Sequence, residues 1–264
     1  MVDNTELTEA LALELLRCET VRQARGPLSA DEWPSLTVAD AYRIQDASRR
    51  HRESRGERVI GVKMGLTSRA KQKTMNVDEP VVAWVTDAMQ LPLNLPIQTD
   101  RFIHPRVEPE LFFRLGSALT GPGVTKEDAA DAVDAVVAGV DVIDSRYQSF
   151  AFALPDVIAD NASGAGFVMG PIMKPIDAVD LELEAVLVEV DGIVVDSATA
   201  TAVLGHPLEA VAAAANLLGQ RGLALAVGDW VLAGAMTDAV AVTEGQSLSF
   251  HFSTLGSIHL SKGE

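Results

Sequence analysis

Two kinds of hydrophobic periodicity divide the chain. Over the first ~80 residues, apolar side chains recur at three- and four-residue intervals, the spacing of helices that bury one stripe. Leu7, Ala10, Leu11, Leu13 and Leu16 form one stripe, and Val38, Ala41, Tyr42, Ile44 and Ala47 form a second. Ser29-Ala30-Asp31-Glu32 has the form of a capping box, soon interrupted by Pro34. The second helix ends in the charged run Arg49-Arg50-His51-Arg52-Glu53. Cations suit a helix C-terminus, so the run is assigned no binding role. From Val59 the pattern changes to runs of strand length: Val59 to Leu66, Arg106 to Leu115, Val140 to Ile143, Leu181 to Val190, Trp230 to Leu232 and Ser247 to Phe252. Asp191-Gly192 marks a hairpin turn that returns through Ile193 to Val195. Thr125-Lys126-Glu127-Asp128 caps a helix predicted to run to about Val137. Pro207 opens a helix to Arg221, closed by Gly222 in the left-handed conformation. Helices and strands mix without a βαβ rhythm. The pattern therefore predicts an α+β protein, with a helical N-terminal portion (1–80) and a strand-rich part (81–264) curled into a distorted β-barrel, packed as one unit.

Composition narrows the class. The chain has 264 residues, 48% of them hydrophobic, which is material for one large domain or two small ones. Asp plus Glu number 37 against 21 Lys plus Arg, a formal charge of −16, which argues against nucleic acid or an anionic membrane as partner. Cys18 is the only cysteine, so no intramolecular disulfide forms, as expected in a reducing compartment. The acidic N-terminus has no signal-peptide pattern, and no apolar run approaches the ~20 residues that span a bilayer. The expected location is cytoplasmic.

The densest candidate chemistry lies in His104-Pro105-Arg106-Val107-Glu108-Pro109-Glu110. On a strand, Glu108 and Glu110 project to one side. Such a pair reads either as a solvent-facing acidic edge or as a ligand pair for a hard divalent cation, which offsets the cost of burying two like charges. Lys63 stands in the apolar run Ile60 to Leu66, either reaching water from an edge strand or facing a pocket. Asp141 offers a third carboxylate. Asp144 and Arg146 read as an internal pair, and Arg106 as a partner of Glu108. Asp156 to Gly164 reads as a polar loop of small residues, and His206 as a helix-cap residue. Signatures of serine hydrolases, zinc proteases and nucleotide-binding loops are absent from the sequence.

Taken together, Gly61 to Ser68, His104 to Glu110, Val142 to Tyr147, Asp156 to Ser163 and Gly205-His206-Pro207-Leu208 resemble, in order and spacing, the hydratase/decarboxylase family of meta-cleavage pathways. That family is related to the fumarylacetoacetate hydrolase superfamily. The resemblance runs from about Leu7 to Leu260 and is stronger to the 4-oxalocrotonate decarboxylase branch than to the 2-hydroxypentadienoate hydratases. It implies a Mg²⁺ or Mn²⁺ site built from Glu108, Glu110 and Asp141. The family usually carries Glu at the third position, so the shorter Asp141 is expected to act directly or through a water. It also implies catalytic roles for Lys63, Asp156 and Ser163, and substrate contacts from Leu66, Asn161 and Ser163. The implied substrate is a 2-oxo dicarboxylate whose distal carboxylate is expected to leave as CO₂ from a relatively apolar pocket lined by neutral donors, not by a bidentate arginine. Arg106 either meets that carboxylate or pairs with Glu108, and the pairing is the favoured reading. Implied partners are further copies of the chain and a homologous hydratase. Three other readings are hydration of a pentadienoate, a non-catalytic subunit of a hydratase/decarboxylase complex, and acylpyruvate hydrolysis. The last calls for a water-activating His/Glu pair that the sequence does not display.

Overall fold

The computed structural model describes residues 4–30, 32–69, 72, 73, 77, 79–93 and 95–261. Its N-terminal layer is built from α1 (Asn4–Val21) and α2 (Val38–Ser54). In α1 the buried face is Leu11, Ala12, Leu15, Leu16 and Cys18, while Leu13 is exposed. The stripe thus lies one position around the helix from the one expected. The capping box expected at Ser29 is not formed. Ser29 instead gives its amide and hydroxyl to Asp156. α2 is capped further on by Thr37, whose hydroxyl accepts from the Asp40 amide while the Asp40 carboxylate reaches back. Gln45, buried on α2, donates to the carbonyls of Val82 and Ile158 and ties the helix to the sheet.

The sheet comprises β1 (Val59–Gly65), β2 (Val81–Thr86), β3 (Gln90–Leu91), β4 (Arg106–Leu115), β5 (Val133–Ile143), β6 (Gly164–Pro175), β9 (Trp230–Leu232) and β10 (Val240–Ala241). Their order is β2-β1-β9-β4-β5-β6-β3, with β10 also paired to β4. β1, within residues 1–80, is thus already part of this curled half-barrel. A second sheet, ordered β12-β11-β7-β8, holds β7 (Ala185–Val190), β8 (Ile193–Thr199), β11 (Ser247–Phe252) and β12 (Gly256–Ser261). The Asp191-Gly192 hairpin joins β7 to β8 as expected. The α+β reading and the curled sheet with a helical N-terminal portion are thereby established.

Three short helices complete the framework: α3 (Lys126–Ala132), α4 (Leu154–Ala159) and α5 (Pro207–Gly219). α3 has the expected Thr125–Asp128 capping box but ends at Ala132. The next eleven residues form β5 rather than continuing the helix. α5 closes at Gly222 (φ +71), where the Leu223 amide donates to the Leu218 carbonyl and that of Gly222 to Gly219. By length and composition alone Ala200–Gly219 could cross a membrane, a run that the sequence pattern does not predict. Half of this stretch is buried inside the fold, and Leu208, Val211, Ala215 and Leu218 pack into the main core.

Candidate active site

β4 lies at the centre of the curled sheet and is buried along nearly its whole length. Alternation along it puts Glu108 and Glu110 on one face. The antiparallel register sets Asp141 of β5 directly opposite Glu108. All three carboxylates are buried, and one oxygen from each lies within 4.8 Å of the others. Pro109 between them costs no ladder bond. Its carbonyl accepts from the Met236 amide in the gap between β9 and β10, so its missing N–H falls in that gap.

β9 contains three residues, and beyond Leu232 the chain follows β4 irregularly, the Ala233 amide donating to the Leu111 carbonyl. Lys63 of β1 donates to Asp141 Oδ2 at 2.5 Å and to the Ala162 carbonyl at 3.3 Å. The segment after Leu232 supplies Gly234, whose amide donates to Glu110 Oε2 at 2.9 Å. Gly234 has φ +103, and a Cβ there would lie 2.2 Å from Thr67 Oγ1. Only glycine delivers that amide without displacing Thr67.

Among the described residues, the cluster sets three carboxylates against the Lys63 ammonium, a formal excess of two negative charges for these four groups. Burial pushes Glu110 well above the usual carboxylate range, and Asp141 and Glu108 add to the rise. Asp141 is also raised by burial, although Lys63 opposes the shift. For Lys63, burial pulls downward, but Asp141, Glu110 and Glu108 together outweigh it and hold the ammonium charged. A hard divalent cation fits this donor set, which offers three oxygens and no sulfur or imidazole, and it balances the charge.

Beside the cluster opens a cavity of about 160 Å³. Its polar wall includes Lys63, Glu108, Thr67, Ser68 and Ser163. Its apolar wall includes Leu66, Ile143, Phe150, Phe152 and Val157. Leu66, Phe150, Ala162 and Ser163 line it with φ between +49 and +57. Left-handed backbone in non-glycine residues is strained, and such strain gathers at functional sites.

The structure separates the other expected site residues. Ser163 and Leu66 line the cavity, and Ser163 donates to Asp160. Asn161 is turned to β2, where its side chain accepts from the Trp84 amide and donates to the Trp84 carbonyl. It borders a separate small cavity with Gln45, Arg49 and Arg146. Asp156 lies on α4, not in the polar loop expected over 156–164, and its carboxylate accepts from Ser29 and the Ala153 amide. The Asp144–Arg146 carboxylate pair is not formed. Asp144 accepts from the amides of Ile103 and His104, and Arg146 pairs with buried Asp160, touching only the carbonyl of Asp144. Arg106 does not pair with Glu108; its guanidinium lies 4.3 Å from the Phe150 ring centroid. His206 caps α5 through Nδ1. Phe150, Phe152 and the Gly234 amide were not singled out in advance.

A carboxylate triad with a buried lysine, set in a curled mixed sheet, defines a metal-dependent enzyme scaffold. Residues 47–260 match the family described as Fumarylacetoacetate (FAA) hydrolase C-terminal, and the chain belongs to that family. The 4-oxalocrotonate decarboxylase of Pseudomonas putida is 41% identical over 228 residues, covering 86% of each chain. The 2-hydroxyhexa-2,4-dienoate hydratase of Comamonas testosteroni is 36% identical over 242 residues, 90% of this chain and 91% of that one. The structure of 4-oxalocrotonate decarboxylase from Pseudomonas putida G7, complexed with magnesium and adipate, matches with a TM-score of 0.95 at 38% identity, over 98% of both chains.

Proposed function

We propose that this protein is a Mg²⁺-dependent carboxy-lyase that converts 2-oxo-3-hexenedioate (4-oxalocrotonate) to 2-hydroxypenta-2,4-dienoate and CO₂ in aromatic catabolism. The observation that carries the reading is the buried triad of Glu108, Glu110 and Asp141 beside a cavity with one polar and one apolar wall. Its support is the similarity to relatives named as 4-oxalocrotonate decarboxylases, at 39–42% identity over 86–90% of this chain.

Glu108, Glu110 and Asp141 would hold Mg²⁺, or Mn²⁺ in its place, with Lys63 hydrogen-bonded to Asp141. When bound, the ion supplies Lewis-acid polarisation of the 2-oxo group. Lys63 orients Asp141 and keeps a proton on Nζ at the cavity wall, where it serves the proton transfer that follows loss of CO₂. Ser163 and Leu66 border the substrate. Phe150, Phe152 and Val157 keep the cavity wall apolar, and the distal carboxylate departs as neutral CO₂. Asn161 and Asp156 act at one remove: Asn161 fixes β2, and Asp156 fixes α4 beneath the left-handed turn that carries Ser163.

Exposed apolar side chains on β7 (Leu187) and on the edge strand β8 (Ile193, Val194 and Val195) support self-association. The same edge is where a homologous hydratase would dock. The buried free thiol of Cys18 suits a cytoplasmic setting. Calorimetric titration with Mg²⁺, paired with CO₂ release by the parent and by Glu108→Gln, tests the function. The variant is expected to keep its fold and lose both signals. A variant that binds Mg²⁺ and turns over normally refutes the assignment.

A further inference from the structure

We infer that Arg106 is the receptor for the far carboxylate of the substrate, and so sets the preference for 2-oxo diacids over 2-oxo monoacids. This rests on the functional reading above, since it presumes a chelating end held at the triad.

Four observations converge on Arg106. It follows Glu110 and Glu108 along the same face of β4, two residues beyond Glu108, a step of roughly 7 Å. That is comparable with the length of an extended six-carbon diacid. Its partner across the β4–β5 ladder is Ile143, which lines the cavity, just as Asp141 is the partner of Glu108. Its guanidinium stacks on Phe150, another cavity residue. The turn that presents Phe150 holds Ser149 and Phe150 at φ +57 and +54, a strained arrangement that fixes the ring at the rim.

The guanidinium is partly buried and, among the described residues, makes no ion pair. Stacking uses only its face, so the in-plane N–H groups stay available for a carboxylate. Lys63 cannot serve the far end, because Asp141 and the Ala162 carbonyl engage its ammonium. With a divalent ion bound, the excess of two negative charges on the triad and Lys63 is cancelled. An arriving dianion then needs a cation of its own, and Arg106, against the cavity residues Ile143 and Phe150, offers one.

A carboxylate that must leave as CO₂ gains nothing in the transition state from a contact made in the ground state. Arg106 is therefore a binding residue whose loss raises KM more than it lowers kcat. The probes are 2-oxoadipate and 2-oxohexanoate, titrated calorimetrically into the Mg²⁺-loaded protein. They share one chelating end, and neither has the conjugated double bond needed to lose CO₂. The parent is expected to favour the diacid by roughly ten- to a hundredfold, the range of a charge-assisted contact. Arg106→Gln should bring the two within about threefold, and Arg106→Lys should keep part of the preference. If Arg106→Gln folds poorly, as read by its Mg²⁺ titration, Arg106→Lys decides by whether the preference falls. A variant Arg106→Gln that binds Mg²⁺ and keeps the parent's preference overturns the inference alone. A parent without any preference for the diacid overturns it together with the functional reading.

Discussion

Replacing Lys63 with Met removes the ammonium that, among the described residues, faces three buried carboxylates. Lys63 is 3% exposed and Asp141 1%, so water cannot take over the lost contact. Breaking a buried ion pair by deleting one partner costs about 3–5 kcal/mol. Proton uptake softens the cost, because burial already raises Glu110 and Asp141 above the usual carboxylate range. The lower end, about 3 kcal/mol, is therefore expected for the metal-free protein, which corresponds to a fall in Tm of roughly 6–12 °C for a chain of this size. Mg²⁺ reverses the sign of the effect. Lys63 competes for Asp141 Oδ2 and repels a cation, so Lys63→Met should bind Mg²⁺ more tightly than the parent. It should regain most of its Tm on loading, yet release CO₂ slowly for want of the proton carrier. Calorimetric melts in EDTA and in Mg²⁺, with a Mg²⁺ titration, separate these effects. An unchanged metal-free Tm combined with weaker Mg²⁺ binding would refute the electrostatic account of the cluster.

Three further outcomes follow from the same geometry. Asp141→Ala should weaken Mg²⁺ binding, while Asp141→Glu, which restores the usual family residue, should retain it; equal titrations of Asp141→Ala and the parent would place the third ligand elsewhere. Gly234→Ala should lower both Tm and Mg²⁺ affinity, since its Cβ meets Thr67 Oγ1 at 2.2 Å and shifts the amide that orients Glu110; a variant matching the parent in both measurements removes that amide from the site. Burial pushes Asp160 up to about 6 against the opposing pull of Arg146. A raised carboxyl contributes stability that is present below its unfolded value and lost as pH rises through the folded one, here between about pH 4 and 6, by about 3 kcal/mol. Asp160→Asn should flatten that part of the melting profile, and a slope identical to the parent's counts against the shift.

The elements with a clear local signal were legible in the sequence. β4 and β9 begin and end where their apolar runs do, and the Asp191-Gly192 hairpin and the Gly222 cap carry their own turn chemistry. β5 was obscured. It is buried on both faces, so period-two alternation is missing, and Ala135 and Ala138 suit a helix as readily as a strand. The Val133, Val136, Val137 and Val140 content was the clue to a strand. At the site, the Glu108 and Glu110 spacing is a local fact, so it could be read directly. The partners of Asp144, Arg146 and Arg106 are set by tertiary contacts with His104, Asp160 and Phe150, which nothing nearby in sequence specifies. Phe150 and Ser163 reach the cavity through left-handed backbone that only the packed fold imposes.

A divalent ion held by Glu108, Glu110 and Asp141 would serve decarboxylation and hydration equally, and relatives named for both reactions match this chain. The branch is decided by the products. Purified protein loaded with Mg²⁺ is given 2-oxo-3-hexenedioate and, separately, 2-hydroxypenta-2,4-dienoate, with CO₂ and hydrated product measured in each case. The account predicts Mg²⁺-dependent CO₂ release from the first and little hydration of the second. Rapid hydration of the pentadienoate without CO₂ release from the diacid would contradict it.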